Sequence, residues 1–110
     1  MQYFTDASAG LREAFEREVL SWPDVSVQTT FGCPSYRVAD ARFAVLSDQG
    51  VSLTCLPDDE RRSLAATHQL RPFVADGRAV ASWTTVSVTP ETVDSLLPAV
   101  RQGYEAARSV

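Results

Sequence analysis

Phe31-Gly32-Cys33-Pro34-Ser35-Tyr36-Arg37 is the stretch that decides the fold. Before it, Val25 and Val27 alternate with Ser26 and Gln28 in strand periodicity over residues 25–31, and a second run leaves at Tyr36. Gly32 accepts a positive φ, while Pro34 fixes φ and removes a donor, so the chain is re-aimed from one strand into the next. The departing run carries an aromatic ring, Tyr36, and a guanidinium, Arg37.

Downstream, Tyr36 to Ala39 and Arg42 to Leu46 flank Asp40-Ala41 at the spacing of a tight hairpin. Ser47-Asp48-Gln49-Gly50 makes the next turn, after which Val51, Leu53 and Cys55 share a face. Pro57-Asp58-Asp59-Glu60 places proline at a first helical position and carboxylates where they complement the helix dipole, predicting a short helix to about Thr67. Arg71 to Ala75 and Trp83 to Val88 are two further strands around the turn Asp76-Gly77.

Upstream, Leu11, Phe15, Val19 and Trp22 recur at helical spacing, predicting an amphipathic helix over residues 7–21, capped by Asp6 or Ser8 and closed by Pro23. Thr89-Pro90-Glu91 opens a last helix with the apolar stripe Val93, Leu96, Leu97, Val100, Tyr104 and Ala107, kinked or broken near Asp94 to Leu97 by Pro98. The order predicts an α+β fold. An antiparallel sheet of five to six strands carries the N- and C-terminal helices on one face, burying Phe15, Val19, Leu53, Val86, Leu96 and Val100 together.

A chain of 110 residues makes one domain, residues 1–110, able to bury roughly 65% of its unfolded surface. Its ten cationic side chains are all arginine, and fourteen carboxylates bring the net charge to −4. That balance repels nucleic acid and anionic membranes at long range unless the arginines gather on one face. No secretory leader or membrane span is visible, so a cytoplasmic location is expected. Cys33 and Cys55 lack metal-ligand or CxxC spacing and are expected as free thiols. The sequence leaves the oligomeric state open, with a monomer favoured.

The ordered motifs resemble the MmcQ/YjbR family of small bacterial and archaeal proteins. The segment Phe31 to Arg37 is similar to that family's aromatic-Gly-x-Pro-Ser-aromatic-basic signature, with Phe31, Gly32, Pro34 and Ser35 as its structural part. Phe43-Ala44, Val51-Ser52-Leu53, Trp83-Thr84-Thr85-Val86 and the ending at Tyr104-Glu105 follow in the family's order, over roughly Leu11 to Ala107. The resemblance implies a frataxin-like CyaY fold and a DNA-binding label attached to a pair of hairpin wings, and it brings no catalytic residues. One departure stands out: where the family carries a lysine-rich turn before the tryptophan, this chain has Asp76-Gly77-Arg78-Ala79-Val80-Ala81-Ser82.

Tyr36, Arg37, Arg42, Arg71, Arg78 and Trp83 are the candidate binding residues, since aromatics interleaved with arginines suit bases and phosphates. The same two rings equally suit cover for a sheet edge, and Asp40, Asp48 and Asp76 share turns with the arginines. The alternative ligand is a small molecule or peptide held by the 31–37 bend and Trp83. Cys33 beside Gly32 and Pro34 is a candidate exposed thiol, but its activation needs His68, the sole histidine, brought to it through tertiary contacts. Asp58, Asp59 and Glu60 are explained by the helix dipole. No nucleophile elbow, phosphate loop, metal-ligand set or cofactor motif occurs, so no catalytic residue and no cofactor are assigned.

Overall fold

The structure, a computed structural model, describes residues 2–109. A 3-10 turn, Asp6–Ser8, leads into α1, Ala9–Val19; four strands follow, β1 Ser26–Thr30, β2 Cys33–Val38, β3 Ala41–Ser47 and β4 Gly50–Leu53. Then come α2, Asp58–Ala65, β5, Arg71–Ala75, β6, Arg78–Val86, a 3-10 turn, Val93–Ser95, and α3, Leu97–Arg108. The strands form one antiparallel sheet in the order β1-β2-β3-β4-β6-β5, so the fold is α+β as the element order predicts.

The opening stretch is tighter than its sequence indicates. Phe31 and Gly32, at φ 54° and 74°, form a two-residue turn that sets Thr30 opposite Cys33, so β2 begins at Cys33 and not at Tyr36. Pro34 sits inside β2, and pairing with β3 starts one residue later at Ser35↔Val45, where a donor is again present. Ala39 and Asp40 carry the next positive φ values, which moves that hairpin one residue upstream of Asp40-Ala41 and makes Val38↔Ala41 its closing pair. Two further boundaries differ. Pro57 is the residue before α2, and β6 starts at Arg78, straight out of the Asp76-Gly77 turn.

At the C-terminal end the chain breaks where expected, and Pro98 explains how. A proline in the first turn of α3 loses no hydrogen bond, so the stripe divides into a 3-10 turn and a straight helix. α1 and α3 lie on one face of the sheet, where Phe15, Val19, Leu53, Val86, Leu96 and Val100 are all buried in one cluster. Phe15 packs 5.0 Å from Tyr36 between ring centroids, and Tyr104 fills the gap between Trp22 at 5.1 Å and Phe43 at 5.5 Å.

Two irregularities shape the other face. Tyr36 pairs with Ala44 and Arg37 with Arg42, which leaves Phe43 as an extra residue that joins the helix-side core. On β6, Thr84 pairs with Pro72 but Val80 with Phe73, so residues 81–83 have no opposite partners. The surplus bends the β5–β6 hairpin over the face opposite the helices, where Phe73 and Trp83 cover Cys33 and Val45 in a second, smaller core. Tyr3 closes its rim, 5.6 Å from Phe73 and 6.4 Å from Phe31. Cys33 and Cys55 are free thiols, and among the described residues no helix is long and apolar enough to cross a membrane.

Candidate functional site

The ten arginines divide largely by element, Arg62 on α2 being the helical one without a carboxylate partner among the described residues. Arg12, Arg17, Arg61, Arg101 and Arg108 each pair with a carboxylate three or four residues away on their own helix. Arg37, Arg42, Arg71 and Arg78, all on strands, have no carboxylate partner among the described residues. The turn carboxylates expected to neutralise them are engaged elsewhere or apart. Asp48 accepts hydrogen bonds from the Thr5 amide at 3.1 Å, the Thr5 hydroxyl at 2.8 Å and the Ser8 hydroxyl at 2.5 Å, which hold its carboxyl below the usual range. Asp76 accepts from the Tyr3 hydroxyl at 3.1 Å. Arg37 turns to its own hairpin and donates to the Asp40 carbonyl at 2.6 Å.

Arg42 is the centre of the arrangement. The bulge at Phe43 places it directly across from Arg37 on the face that bears Trp83. Its guanidinium lies 5.0 Å from the Trp83 ring centroid and donates from Nη1 to Thr30 Oγ1 at 3.3 Å. Since Thr30 lies opposite Cys33 and Arg42 opposite Arg37, the side chain runs lengthwise over β2 past Ser35. Arg42 Nε and Ser35 Oγ are both buried without a hydrogen-bond partner among the described residues. Burial first, and the nearby Arg37 charge second, lower the Arg42 pKa. By contrast the neighbouring hydroxyls of Ser52 and Thr85 satisfy each other at 2.8 Å.

Trp83, only 6% exposed, also lines a cleft of about 330 Å³ that Arg42 does not line. Leu70, Pro72 and Ala81 supply apolar lining, and Arg61 and Arg71 bring the charge. The three unpaired residues 81–83 create this cleft by separating β6 from β5. Arg61 is partly committed to Asp58 at 2.7 Å, whereas Arg71 has no such partner. Cation, aromatic wall and apolar floor together can hold an anion attached to an apolar body.

The candidate residues are therefore sorted by the sheet. Arg37, Arg42 and Trp83 come together on one face; Arg71 meets Trp83 at the cleft; Arg78 stands at the exposed start of β6. Tyr36 points the other way, fully buried beneath α1, and donates to Glu16 at 2.6 Å. The 31–37 segment does not line the cleft, although Phe31, 52% exposed, lies 5.9 Å from Trp83. Arg61 and Leu70 line the cleft without having been singled out. The signal for Arg61 was hidden because its helix reads as an ordinary dipole-capped surface helix.

Cys33 is not exposed. It lies under Phe73 and Trp83, and burial, with Asp48 adding repulsion, pushes its thiol up to about 11. His68 hydrogen-bonds Thr67 at 2.9 Å and Ser95 at 3.2 Å, by α2 and the turn before α3, so the two do not form a dyad. Among the described residues no three His, Cys, Asp or Glu side chains gather as a metal site. Comparison with known proteins gives no matching family model, no matching curated protein and no matching solved structure.

Proposed function

We propose that this chain is a non-enzymatic binding module of the MmcQ/YjbR type, and that it takes a small anion with an apolar body at the Trp83 cleft. The observation that carries the reading is the contrast between arginines: five of the six helical ones, all but Arg62, pair with a carboxylate on their own helix, whereas none of the four on strands does among the described residues. A cation left without a counter-ion next to a tryptophan wall gains most from a ligand that supplies the missing charge. Arg71 contributes the contact at the cleft, and Arg42 lies against the Trp83 ring.

Calorimetric titration with an arylalkyl carboxylate, a nucleoside monophosphate, inorganic phosphate and a neutral amide analogue tests it. The apolar anions are expected to bind and the neutral analogue to fail, with Arg71→Gln weakening affinity by about tenfold, or about 1.4 kcal/mol. Equal binding of the neutral analogue, or no effect of Arg71→Gln, would contradict the reading.

A nucleic-acid ligand is the second reading, favoured by the exposed Arg78 and the partly exposed Arg37 on separate hairpins. It loses ground because Tyr36 and Trp83, its stacking rings, are buried. Contact of four arginines with phosphates would give a log-log salt slope of about −3.6. Fluorescence anisotropy with duplex and single-stranded oligonucleotides measures it, and weak binding at physiological salt is expected.

A further inference from the structure

The two edges of the sheet are handled in opposite ways. Along β5 the outward backbone groups are covered one after another. Pro72 has no N–H; Gln49 donates from Nε2 to the Val74 carbonyl at 2.8 Å and accepts the Val74 N–H on Oε1 at 2.9 Å; the Tyr3 hydroxyl oxygen accepts the Asp76 N–H at 2.7 Å. The side-chain amide of Gln49 thus replaces a neighbouring strand, a device that keeps an edge from pairing.

β1 carries no such protection. Its two-residue turn makes Thr30↔Cys33 a hydrogen-bonded pair, and with it Gln28↔Ser35 and Ser26↔Arg37. The N–H and C=O groups of Val27 and Thr29 therefore face outward, and no side chain or turn among the described residues bonds them. Ser26–Thr30 contains no proline and no charge, and three of its five residues are β-branched. Val27 and Phe31 beside it are 38% and 52% exposed.

We propose that β1 is an interface for a second copy of this chain, pairing antiparallel with its own counterpart about a twofold axis at Gln28. In this register Val27 faces Thr29 of the other copy, forming about four backbone hydrogen bonds. Ser26 faces Thr30, and Thr29 of the other copy covers the exposed Val27 side chain. No charge opposes a like charge across the strands, although each whole chain carries −4. A contact one strand wide lies below the area of a permanent dimer, so association is weak and grows with concentration.

Sedimentation velocity over a concentration series, paired with amide hydrogen exchange, tests this. Dimer is expected to accumulate with concentration while the Val27 and Thr29 amides gain protection in step. Thr29→Pro removes an outward N–H without touching the β1–β2 ladder, and Val27→Lys adds a charge at the axis; each is expected to abolish dimer and protection together while leaving the fold intact by circular dichroism. A monomer at every concentration would overturn the proposal. So would association that persists in both variants, or protection of these amides without self-association, which would mean that the edge is covered within the same chain.

Discussion

Arg42 stacks its guanidinium 5.0 Å from the ring centroid of Trp83 while its Nε stays buried and unbonded. The contact joins two bulges that lie far apart in sequence. One, at Phe43, turns Arg42 away from the helices; the other, over residues 81–83, brings Trp83 across to meet it. The pair is thus a product of sheet irregularity, and it places a cation against a ring that lines the cleft.

Arg42→Met separates stability from binding. The substitution keeps an aliphatic cover for Trp83, removes a donor without an acceptor and ends repulsion with Arg37, at the cost of the cation–π contact and the long hydrogen bond to Thr30. Stability by urea denaturation is expected to stay within about 1 kcal/mol of the parent, while affinity for an apolar anion falls. A loss of several kcal/mol would mean that Arg42 is a structural residue.

Gly50 and Gly77 make a contrasting pair. Both have positive φ, but a Cβ on Gly50 would collide with the Val86 carbonyl oxygen and lie 2.9 Å from the Ser87 Cα, whereas one on Gly77 meets open space. Gly50→Ala is expected to cost about 3 kcal/mol or more through displacement of β6 from β4, and Gly77→Ala about 1–2 kcal/mol from its backbone conformation alone. Equal losses in thermal melts would show that β6 yields easily at this point.

Alkaline pH tests the smaller core. The Cys33 thiol is raised from 9.0 to about 11, and burial also raises the Tyr36 hydroxyl above its ordinary value, so both groups hold protons more tightly folded than unfolded. Cys33 therefore contributes stability that is whole below about pH 9 and is lost as pH rises through about 11. Cys33→Ala is expected to lower stability at neutral pH and to flatten this alkaline decline. A thiol reagent on the native protein should label Cys55, which is partly exposed, well before Cys33; equal rates would contradict the placement.

Gln49→Ala uncovers the Val74 backbone on β5. The variant is expected to fold, with faster exchange at the Val74 amide and a greater tendency to aggregate on heating. Unchanged exchange would show that Gln49 is not what guards this edge.

Much of this was legible in the sequence, because periodicity and turn residues act locally. The helical spacing of Leu11, Phe15 and Val19 and the β alternation around Val51 and Leu53 were sufficient for the layers and the helix-side core. Bulges are different, since they depend on the partner strand. Nothing in Arg42-Phe43-Ala44 announces that Phe43 joins the same face as Ala44, and nothing in Ala81-Ser82-Trp83 announces three unpaired residues. Hence Tyr36 and Trp83 looked alike as aromatics on strands, yet one lies under α1 and the other over Arg42. The β2 start was missed for a related reason: a two-residue turn needs positive φ at Phe31, an aromatic residue with little preference for it.

The proposed ligand, an apolar anion, has its place between Trp83 and Arg71. Heteronuclear NMR titration with an arylalkyl carboxylate, following the Trp83 indole N–H, the Trp22 indole N–H as an internal reference, and the backbone amides of β5 and β6, tests it most directly. Saturable shifts are expected at Trp83, Arg71 and Ala81, none at Trp22, with their loss in Arg71→Gln. Shifts confined to α1 and α3, or a Trp83 signal that does not move at saturating ligand, would contradict it.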